Sequence, residues 1–350
     1  MSKMIKTAVL GASGYTGADA VRLALRHPHI ELVALTANTH AGKAMGDVFE
    51  HLRGFDLPKL TKLDELDWTA LDLVICALPH GTTQATTKTI RAVNPDCVVV
   101  DMSADFRIRD PQTYSDWYGI PHGAVELQGE AAYGLSEHNR DAIKAAKIIA
   151  CPGCFPTAAL TALLPPLGAG LIKADDIIID AKTGLTGAGR GLKQGMLFSE
   201  AGEGTSPYGV GHHRHMPEIE QELTKIAGEN ITIGFTPHLV PMSRGELLTC
   251  HVKLADGSSA EAVRQALAAR YADEPFVLVL EEGQIPKTQN LRGSNIVHIG
   301  VFKDRLPGRV IIIAALDNLV KGSAGQALQN VNIAFGFEET LGLEQVAMFP

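Results

Sequence analysis

The fold is decided by Gly11-Ala12-Ser13-Gly14-Tyr15-Thr16-Gly17, a Gly-x-x-Gly-x-x-Gly stretch near the start of the chain. It follows the apolar run 5–10, which predicts a strand, and precedes residues 18–26, whose apolar spacing predicts a helix. Glycines at such a turn let the backbone approach a ligand, and the N–H groups at a helix start can bind a pyrophosphate. An ordinary tight turn would carry the same glycines, but the position between strand and helix favours a nicotinamide dinucleotide site. The candidate residues of this site are Gly11, Ser13, Gly14, Tyr15, Thr16 and Gly17.

The first hundred residues continue this alternation of strands and helices. Apolar runs at 30–35, 73–78 and 97–100 predict strands, and residues 82–92 predict a further helix. Such repeats predict a parallel sheet with right-handed crossovers. In the second half, apolar or alternating runs are interrupted mainly by one clear helix, at 259–271, which predicts a larger mixed sheet.

Length and charge limit the kinds of partner. The 350 residues suggest two domains, and a hydrophobic content of 45% suffices for large cores. The formal net charge is −8 without any run of like charges, so we expect neither nucleic acid nor a membrane surface as partner. A small-molecule substrate is expected instead. Residues 148–172 form a long uncharged run, but its prolines exclude a continuous membrane-spanning helix.

The cysteines indicate the compartment. Their number, 5, is odd, and they lie in apolar stretches, which favours a reducing environment over a disulfide framework. Residues 1–4 lack the apolar core and cleavage site of a signal peptide. We therefore expect a cytoplasmic protein.

The segment after the second predicted strand bears on the choice between NAD and NADP. NAD enzymes commonly place an acidic residue about 20 residues after the glycine turn, where it binds the ribose 2′-hydroxyl. Residues 35–43 contain no Asp or Glu, whereas Thr36, Asn38 and Lys43 can donate to a 2′-phosphate. The expected cofactor is therefore NADP, used as NADPH, with Thr36 and Asn38 among its contacts.

The sequence Cys151-Pro152-Gly153-Cys154 admits three interpretations. A redox Cys-x-x-Cys motif belongs near the start of a thioredoxin-like fold, whereas this one follows a complete dinucleotide domain. A metal site would need a second pair of cysteines at usable spacing. We favour a single nucleophile, because a predicted strand at 147–150 leads through a Pro-Gly turn to a predicted helix at 157–164. The start of that helix would stabilise a Cys154 thiolate.

Residues 212–219 concentrate three histidines with Arg214 and Glu218. A zinc site is one interpretation, and a surface histidine patch is another. No Cys or His lies at a matching distance for tetrahedral coordination, so a general base beside the thiol is favoured. The candidate bases are His213 and His215, and no metal is expected.

Two further glycine-rich stretches follow predicted strands. Residues 182–190 offer backbone amides and hydroxyls to a ligand, notably at Gly184 and Gly187, although a flexible loop would show the same composition. Residues 317–322 precede the last predicted helix, and the Asn318 amide there is suited to hold a carboxamide. These residues complete the candidate cofactor contacts.

The sequence from 149 to 165, which contains Cys151-Pro152-Gly153-Cys154-Phe155-Pro156, resembles the active-site signature of the N-acetyl-γ-glutamyl-phosphate reductases. That signature is long and specific. Further segments resemble motifs of the same family in the same order, namely 11–17, 101–107, 133–137, 182–190, 213–219 and 317–322. The resemblance therefore covers nearly the whole chain.

The resemblance implies a fold of the α/β class. Through the family's relation to aspartate-semialdehyde dehydrogenase, residues 1–150 and 317–350 would form a Rossmann-type parallel-sheet NADP-binding domain. Residues 151–316 would form an α+β catalytic and dimerisation domain with a mixed sheet. The last helix, 325–335, would return to the first domain, and the protein would be a homodimer or homotetramer.

The resemblance also implies a reaction, the NADPH-dependent reduction of N-acetyl-γ-glutamyl phosphate to N-acetyl-L-glutamate 5-semialdehyde in arginine biosynthesis. Cys154 would displace phosphate and carry the acyl group as a thioester, which then accepts a hydride. His213 is the expected base, with His215 as the second candidate. The expected substrate contacts are Arg107, Arg214 and Glu218.

Two other functions stay open on sequence grounds. One is reduction of a homologous acyl phosphate, such as an aminoadipyl or aspartyl derivative, because the residues near the thiol do not report the length of the substrate. The other is a non-catalytic dinucleotide-sensing protein, which would bind the cofactor without thiol-dependent turnover. The presence of Cys154 and His213 weighs against the second.

Overall fold

The computed structural model describes residues 4–350. Residues 1–3, part of the stretch 1–4 considered above for a signal peptide, lie outside the described residues. The chain divides into two compact units. The first runs to Pro152 and includes Ser323–Glu344, and the second holds Gly153–Gly322 and Gln345–Pro350. The predicted division at 150 and 317 differs from these bounds by a few residues. The final residues belong to the second unit because Arg292 binds the backbone there.

Parallel strands build the first unit. The strands are β1 (Ile5–Leu10), β2 (Ile30–Thr36), β3 (Leu60–Thr61), β4 (Leu73–Cys76), β5 (Val98–Asp101), β6 (Ala131–Tyr133) and β7 (Ile148–Ala150). Among the described residues they form a 7-stranded sheet in the order β3-β2-β1-β4-β5-β7-β6, and all neighbours are parallel. The order 3-2-1-4-5 is that of a dinucleotide-binding sheet, so the predicted Rossmann-type architecture is confirmed.

The central strands of this sheet are buried on both faces. Every residue of β4 and β5 is buried, which explains why both strands are apolar without alternation except at Asp101, the last residue of β5. Helices connect the strands, as parallel pairing requires. They are α1 (Tyr15–Ala24), α2 (Met45–Val48), α3 (Thr83–Val93), α4 (Pro111–Tyr118), α5 (Val125–Gln128) and α6 (Ser136–Ala145).

The second unit contains the predicted mixed sheet. Its helices are α7 (Cys154–Gly168), α8 (Phe198–Ala201), α9 (Met216–Ala227) and α10 (Ala260–Arg270). Its strands are β8 (Ile177–Gly184), β9 (Ser206–Pro207), β10 (Ile233–Val240), β11 (Glu246–Lys253), β12 (Val277–Val279), β13 (Val297–Lys303) and β14 (Arg309–Leu316). Within residues 4–350 the order is β12-β13-β14-β11-β8-β10-β9. Strand β8 is parallel to β10, whereas β11 is antiparallel to both β8 and β14.

The two faces of this sheet differ in exposure. Along β8, β10, β11 and most of β14, buried residues alternate with residues that stay partly exposed. Helices α7, α9 and α10 contact the sheet. One face therefore forms a core with helices, and the other is only half-covered within the chain.

Helix α7 continues through two prolines. The prediction that it ends at Leu164 is wrong, because Pro165 and Pro166 lie inside it. A proline at 165 lacks the N–H that would bond the Thr161 carbonyl in a regular helix. The buried Tyr271 hydroxyl donates to that carbonyl at 2.8 Å. A side chain from outside the helix thus supplies the missing donor.

The last helix, α11 (Gly325–Phe335), has the predicted bounds and belongs to the first unit. Its buried residues include several amides besides apolar side chains. Gln326 and Asn330 both donate to the Gly134 carbonyl, and Gln329 donates to the Glu137 carboxylate. This pattern explains why a helix rich in amides is almost wholly buried.

Membrane insertion through a helix finds no support in the described part of the chain. None of the helices within residues 4–350 combines the length and the apolar character that a bilayer span requires.

Removing the Tyr271 hydroxyl tests whether its hydrogen bond to the Thr161 carbonyl stabilises α7. Tyr271→Phe leaves the ring in place but leaves the buried Thr161 carbonyl without its donor. We expect the free energy of unfolding to fall by about 1–3 kcal/mol, the cost of an unsatisfied buried acceptor. Urea unfolding measures it. An unchanged midpoint would show that this hydrogen bond does not stabilise the helix.

Candidate active site

Cys154 is the first residue of α7, and its side chain is partly exposed. The preceding Gly153 is the N-cap residue and has no side chain to occupy the helix N–H groups. The partial positive charge at a helix start favours a thiolate there. The sequence therefore places the candidate nucleophile where an anionic sulfur is stabilised.

A buried carboxylate fixes the turn before Cys154. The Gly153 N–H donates to Glu218 Oε1 at 2.8 Å, and Glu218 is fully buried. Glu218 lies in the first turn of α9, where the helix dipole stabilises its negative charge. This contact gives Glu218 a positioning role, and its predicted contact with substrate stays a prediction.

Two glycines allow close packing around the nucleophile. A Cβ at Gly322 would lie 2.7 Å from the Cys154 Cβ, so only glycine fits there without a shift. A Cβ at Gly153 would collide with the His215 ring, whose Nε2 is the nearest atom. The candidate base His215 therefore packs against the turn that carries the thiol.

His213 lies in an aromatic surround. Its ring contacts those of His215, Phe155, Tyr208 and Phe235, with centroids 4.8–5.8 Å apart. Burial, with a smaller effect of the Arg214 charge, lowers the pKa of His213 to about 4. The ring is therefore neutral at physiological pH. Arg214 itself is exposed.

Sequence reasoning missed Glu246. This first residue of β11 is fully buried, and its carboxyl interacts with the Cys154 thiol. Burial raises the pKa of Glu246 to about 8. The sequence signal for the burial of Glu246 is the two-residue period of β11, which places Glu246 on the same strand face as the buried Leu248, Cys250 and Val252.

The other glycine-rich stretches meet in the second unit. The Asn318 side-chain oxygen accepts the Gly245 N–H at 2.9 Å, and its amide nitrogen donates to the Thr186 hydroxyl at 3.0 Å. A Cβ at Gly187 would lie 3.8 Å from that same nitrogen. The structure thus joins Asn318 to the 182–190 segment through bonds within the chain. That Asn318, Gly184 and Gly187 contact a cofactor stays a prediction.

The glycine turn of the first unit has the geometry of a dinucleotide cradle. Gly11 has a φ of +73°, and a Cβ there would collide with the Ala77 carbonyl oxygen. A Cβ at Gly17 would collide with the Gly11 carbonyl oxygen. Gly14 is the N-cap of α1, with no side-chain cap and no acidic residue in the first turn. The N–H groups of this helix start therefore suit an anionic group, and the turn fits a pyrophosphate.

The two residues predicted beyond this turn have different surroundings. Thr36 is buried, and its hydroxyl accepts the Gly11 N–H at 3.1 Å, so it supports the turn. Asn38 is exposed and lines a cavity of about 470 Å³ together with Lys62, Trp68 and Thr86. Lys43 is not among the residues that line this cavity.

Arg107 is buried in the first unit, where its guanidinium donates to the Met102 carbonyl at 2.9 Å. Nearby, burial and the Asp105 charge raise the pKa of Asp101 to about 7, while Arg107 opposes this shift. These contacts stabilise the loop after β5. A contact of Arg107 with substrate stays a prediction.

The remaining cysteines lack the features of a nucleophile. Cys151 is fully buried, accepts a hydrogen bond from Asn330, and has its pKa raised by burial to about 12. Burial also raises the pKa of Cys97 and Cys250 to about 12. Within residues 4–350, no group of three or more His, Cys, Asp or Glu side chains has the arrangement of a metal site.

Known proteins match the chain along its length. The semialdehyde dehydrogenase NAD binding domain matches residues 6–146, and the semialdehyde dehydrogenase dimerisation domain matches residues 154–318. The N-acetyl-gamma-glutamyl-phosphate reductase of Rhodospirillum rubrum is 54% identical over 352 residues, with 100% of both chains covered. The chain belongs to the N-acetyl-gamma-glutamyl-phosphate reductase family. The resemblance drawn from its motifs is confirmed, and the protein is an oxidoreductase.

Solved structures extend the fold comparison. Aspartate semialdehyde dehydrogenase II from Vibrio cholerae has a TM-score of 0.73 at 18% identity, covering 95% of this chain and 99% of its own. The Candida albicans aspartate semialdehyde dehydrogenase with NADP has a TM-score of 0.67 at 18% identity, covering 95% and 98%. At this identity the likeness concerns the fold alone.

The two cysteines of the signature are expected to differ in function. Cys154→Ser should abolish turnover, because removal of a covalent nucleophile costs several powers of ten in rate. Cys151→Ser should retain most activity, because Cys151 is a buried small side chain away from solvent. Steady-state kinetics of both variants provide the measurement. Equal loss in both would favour a functional Cys151–Cys154 pair.

Gly322→Ala should displace the nucleophile, because the new Cβ would lie 2.7 Å from the Cys154 Cβ. We expect roughly a 100-fold loss of kcat/KM, the effect of misplacing a reacting group by about 1 Å. Gly195→Ala is the matched control, since a Cβ there meets nothing within 4 Å. Full activity of Gly322→Ala would show that the thiol tolerates the shift.

Proposed function

We propose that Cys154 is the acyl carrier in the NADPH-dependent reduction of N-acetyl-γ-glutamyl phosphate, a step of arginine biosynthesis. The observation that supports this most directly is the thiol at the start of α7, held by the Gly153–Glu218 hydrogen bond. The sulfur displaces phosphate from the acyl phosphate and forms a thioester. Hydride addition to the thioester carbon and loss of the sulfur then give the semialdehyde.

His213 acts near the acyl oxygen in this proposal. Its Nδ1 accepts the backbone N–H of His215 at 3.2 Å, so the hydrogen of the neutral ring lies on Nε2. A neutral imidazole with this tautomer donates a hydrogen bond. His213 is therefore suited to stabilise the oxyanion that forms when hydride adds to the thioester.

NADPH supplies a hydride when bound, and the residues of the first unit fit its phosphates. The N–H groups at the start of α1 would hold the pyrophosphate, and Thr36 keeps the turn attached to the end of β2. A dinucleotide in such a sheet extends from the first glycine turn toward the end of β2. The cavity at Asn38 lies on that course and would take the adenosine portion.

Lys62 is the cation of this cavity and would bind the 2′-phosphate. The proposal assigns to Lys62 the phosphate contact that the sequence suggested for Lys43, a residue shortly after β2 that does not line the cavity. The neighbouring Asp64 also lines the cavity and would limit the preference for NADP.

A homodimer or homotetramer is the proposed assembly. The half-covered face of the mixed sheet supports it, because Ile178 is 44% exposed there and Ile313 is partly exposed. Exposed apolar residues on a flat sheet face are typical of protein interfaces. We also propose a cytoplasmic location, which the five free cysteines support.

The assay that tests the function runs the reaction backwards. Phosphate-dependent reduction of NADP is measured with N-acetylglutamate semialdehyde and, for comparison, with aspartate semialdehyde. We expect turnover with the N-acetylated substrate. Preference for the aspartyl substrate would overturn the proposal in favour of reduction of a homologous acyl phosphate. Cofactor binding without turnover would overturn it in favour of a dinucleotide-sensing protein.

Cofactor preference should depend on Lys62. One charge-assisted hydrogen bond to phosphate contributes about 1.5–3 kcal/mol, so Lys62→Ala should lower the affinity for 2′,5′-ADP roughly tenfold to a hundredfold. Affinity for 5′-AMP should stay the same. Calorimetric titration measures both, with Lys43→Ala as the matched control. If Lys43→Ala instead lowered the affinity for 2′,5′-ADP, Lys43 would be the contact of the 2′-phosphate.

The assembly can be tested at Ile313. Ile313→Glu places a charge on the half-covered face and should shift the protein toward monomers, because burying an unpaired carboxylate is costly. Light scattering with size-exclusion chromatography gives the mass. The control Val93→Glu adds the same charge at an exposed residue of the first unit. An unchanged mass for Ile313→Glu would mean that the subunits meet elsewhere.

A further inference from the structure

Glu246 is a buried acid placed against the nucleophile. Its side chain lies on the face of β11 that α7 covers, and its exposure is 0%. The carboxyl interacts with the Cys154 thiol. Neither carboxyl oxygen has an aligned hydrogen-bond donor among the residues that the structure describes. A buried carboxyl without such donors is costly, which calls for a functional explanation.

Burial, more than the surrounding charges, raises the pKa of this acid toward neutral pH. Burial raises the pKa of Glu246 to about 8, Asp317 adds to the rise, and the Cys154 interaction opposes it. Tyr208 faces the same pair, since the charges of Cys154 and Glu246, after burial, raise its pKa. Asp317 is itself bound by Arg244 and by the N–H groups of the following turn. Glu246 is thus a group beside the thiol whose protonation can change.

His213 is less suited to accept the thiol proton. The Nδ1 atom of His213 already accepts a backbone N–H, and burial lowers the pKa of the ring to about 4. An effective proton acceptor needs a pKa near the working pH. A carboxylate whose pKa is raised is a stronger base than an exposed one and meets this requirement better.

We propose that Glu246 carries the proton of the Cys154 thiol through the reaction cycle. When the S–C bond to the acyl group forms, the S–H bond breaks and the Glu246 carboxylate takes the proton. Phosphate leaves with the electron pair of its C–O bond and takes up one proton from solvent. When the S–C bond of the thiohemiacetal breaks, its electron pair returns to sulfur and the Glu246 carboxyl gives the proton back. The cycle consumes one solvent proton and one hydride, as the reduction requires.

The inference rests on the proposed acyl-carrier role of Cys154, and its test separates the two. Alkylation of Cys154 by iodoacetamide, without substrate or cofactor, reports on the thiol and carboxyl alone. In the wild type we expect the rate to rise with pH through the titration of Glu246, at about 8. In Glu246→Gln, which keeps the shape but cannot accept a proton, the rise should move to higher pH. The rate near neutral pH should then be roughly tenfold lower.

The opposite sign would overturn the proposal. A carboxylate that acted only as a negative charge would hinder thiolate formation, so its removal in Glu246→Gln would speed alkylation. Unchanged alkylation would equally exclude a proton transfer. Glu222→Gln is the matched control, because it removes another buried carboxylate, in α9, and should leave the profile in place.

Turnover gives the second readout. The burst of phosphate release in Glu246→Gln should be roughly 100-fold slower than in the wild type, and Glu246→Asp should keep the pH dependence at a reduced rate. If Glu246→Gln fails to fold, the Asp variant and the solvent isotope effect on the wild-type burst decide; an isotope effect of unity would contradict the proposal. Absence of any burst in the wild type, with the alkylation profile as expected, would instead refute only the proposed substrate.

Discussion

One buried hydrogen bond, from the Gly153 N–H to the Glu218 carboxylate, fixes the turn on which the thiol is presented. It connects the start of α7 to the start of α9, two helices that contact each other along the core of the second unit. Both helix starts attract negative charge, and the arrangement gives one of them a carboxylate and the other a sulfur. Glycine is needed at 153 and 322 because a Cβ would collide with His215 at the first position and with Cys154 at the second.

The acidic groups around this turn are all buried, and they differ in the hydrogen-bond donors that they receive. Glu218 receives a direct N–H donor, so its charge is compensated and it serves as a fixed support. Asp317 receives several N–H donors and Arg244, which likewise keeps it in place. Glu246 has no comparable compensation among the described residues, and its pKa rises. The carboxyl groups of Glu218 and Asp317 thus support the site, whereas that of Glu246 remains able to take up a proton.

The cofactor turn of the first unit depends on close backbone contacts more than on side-chain chemistry. The Thr36 hydroxyl accepts the Gly11 N–H, and the Thr36 carbonyl accepts the Ala12 N–H, which holds the turn against the end of β2. The helix start at Gly14 is left without a side-chain cap, so its N–H groups can serve a ligand. In the proposed function, specificity for the nucleotide then depends on residues 38 and 62, which line the neighbouring cavity.

The sequence by itself determined the features that follow from local pattern. The strands of the parallel sheet are mainly apolar runs, the glycine turn lies between a strand and a helix, and Cys154 follows a Pro-Gly turn. Each is written within about ten residues, where periodicity and turn chemistry act. Only the tertiary structure decided the features that depend on register and on distant donors. Glu246 meets Cys154 because antiparallel pairing of β11 with β8 and β14 carries it under α7, and α7 passes Pro165 because the Tyr271 hydroxyl reaches the Thr161 carbonyl. Such contacts join residues about a hundred positions apart, and no local pattern specifies them, since a period of two fixes the face of a strand but not what lies against it.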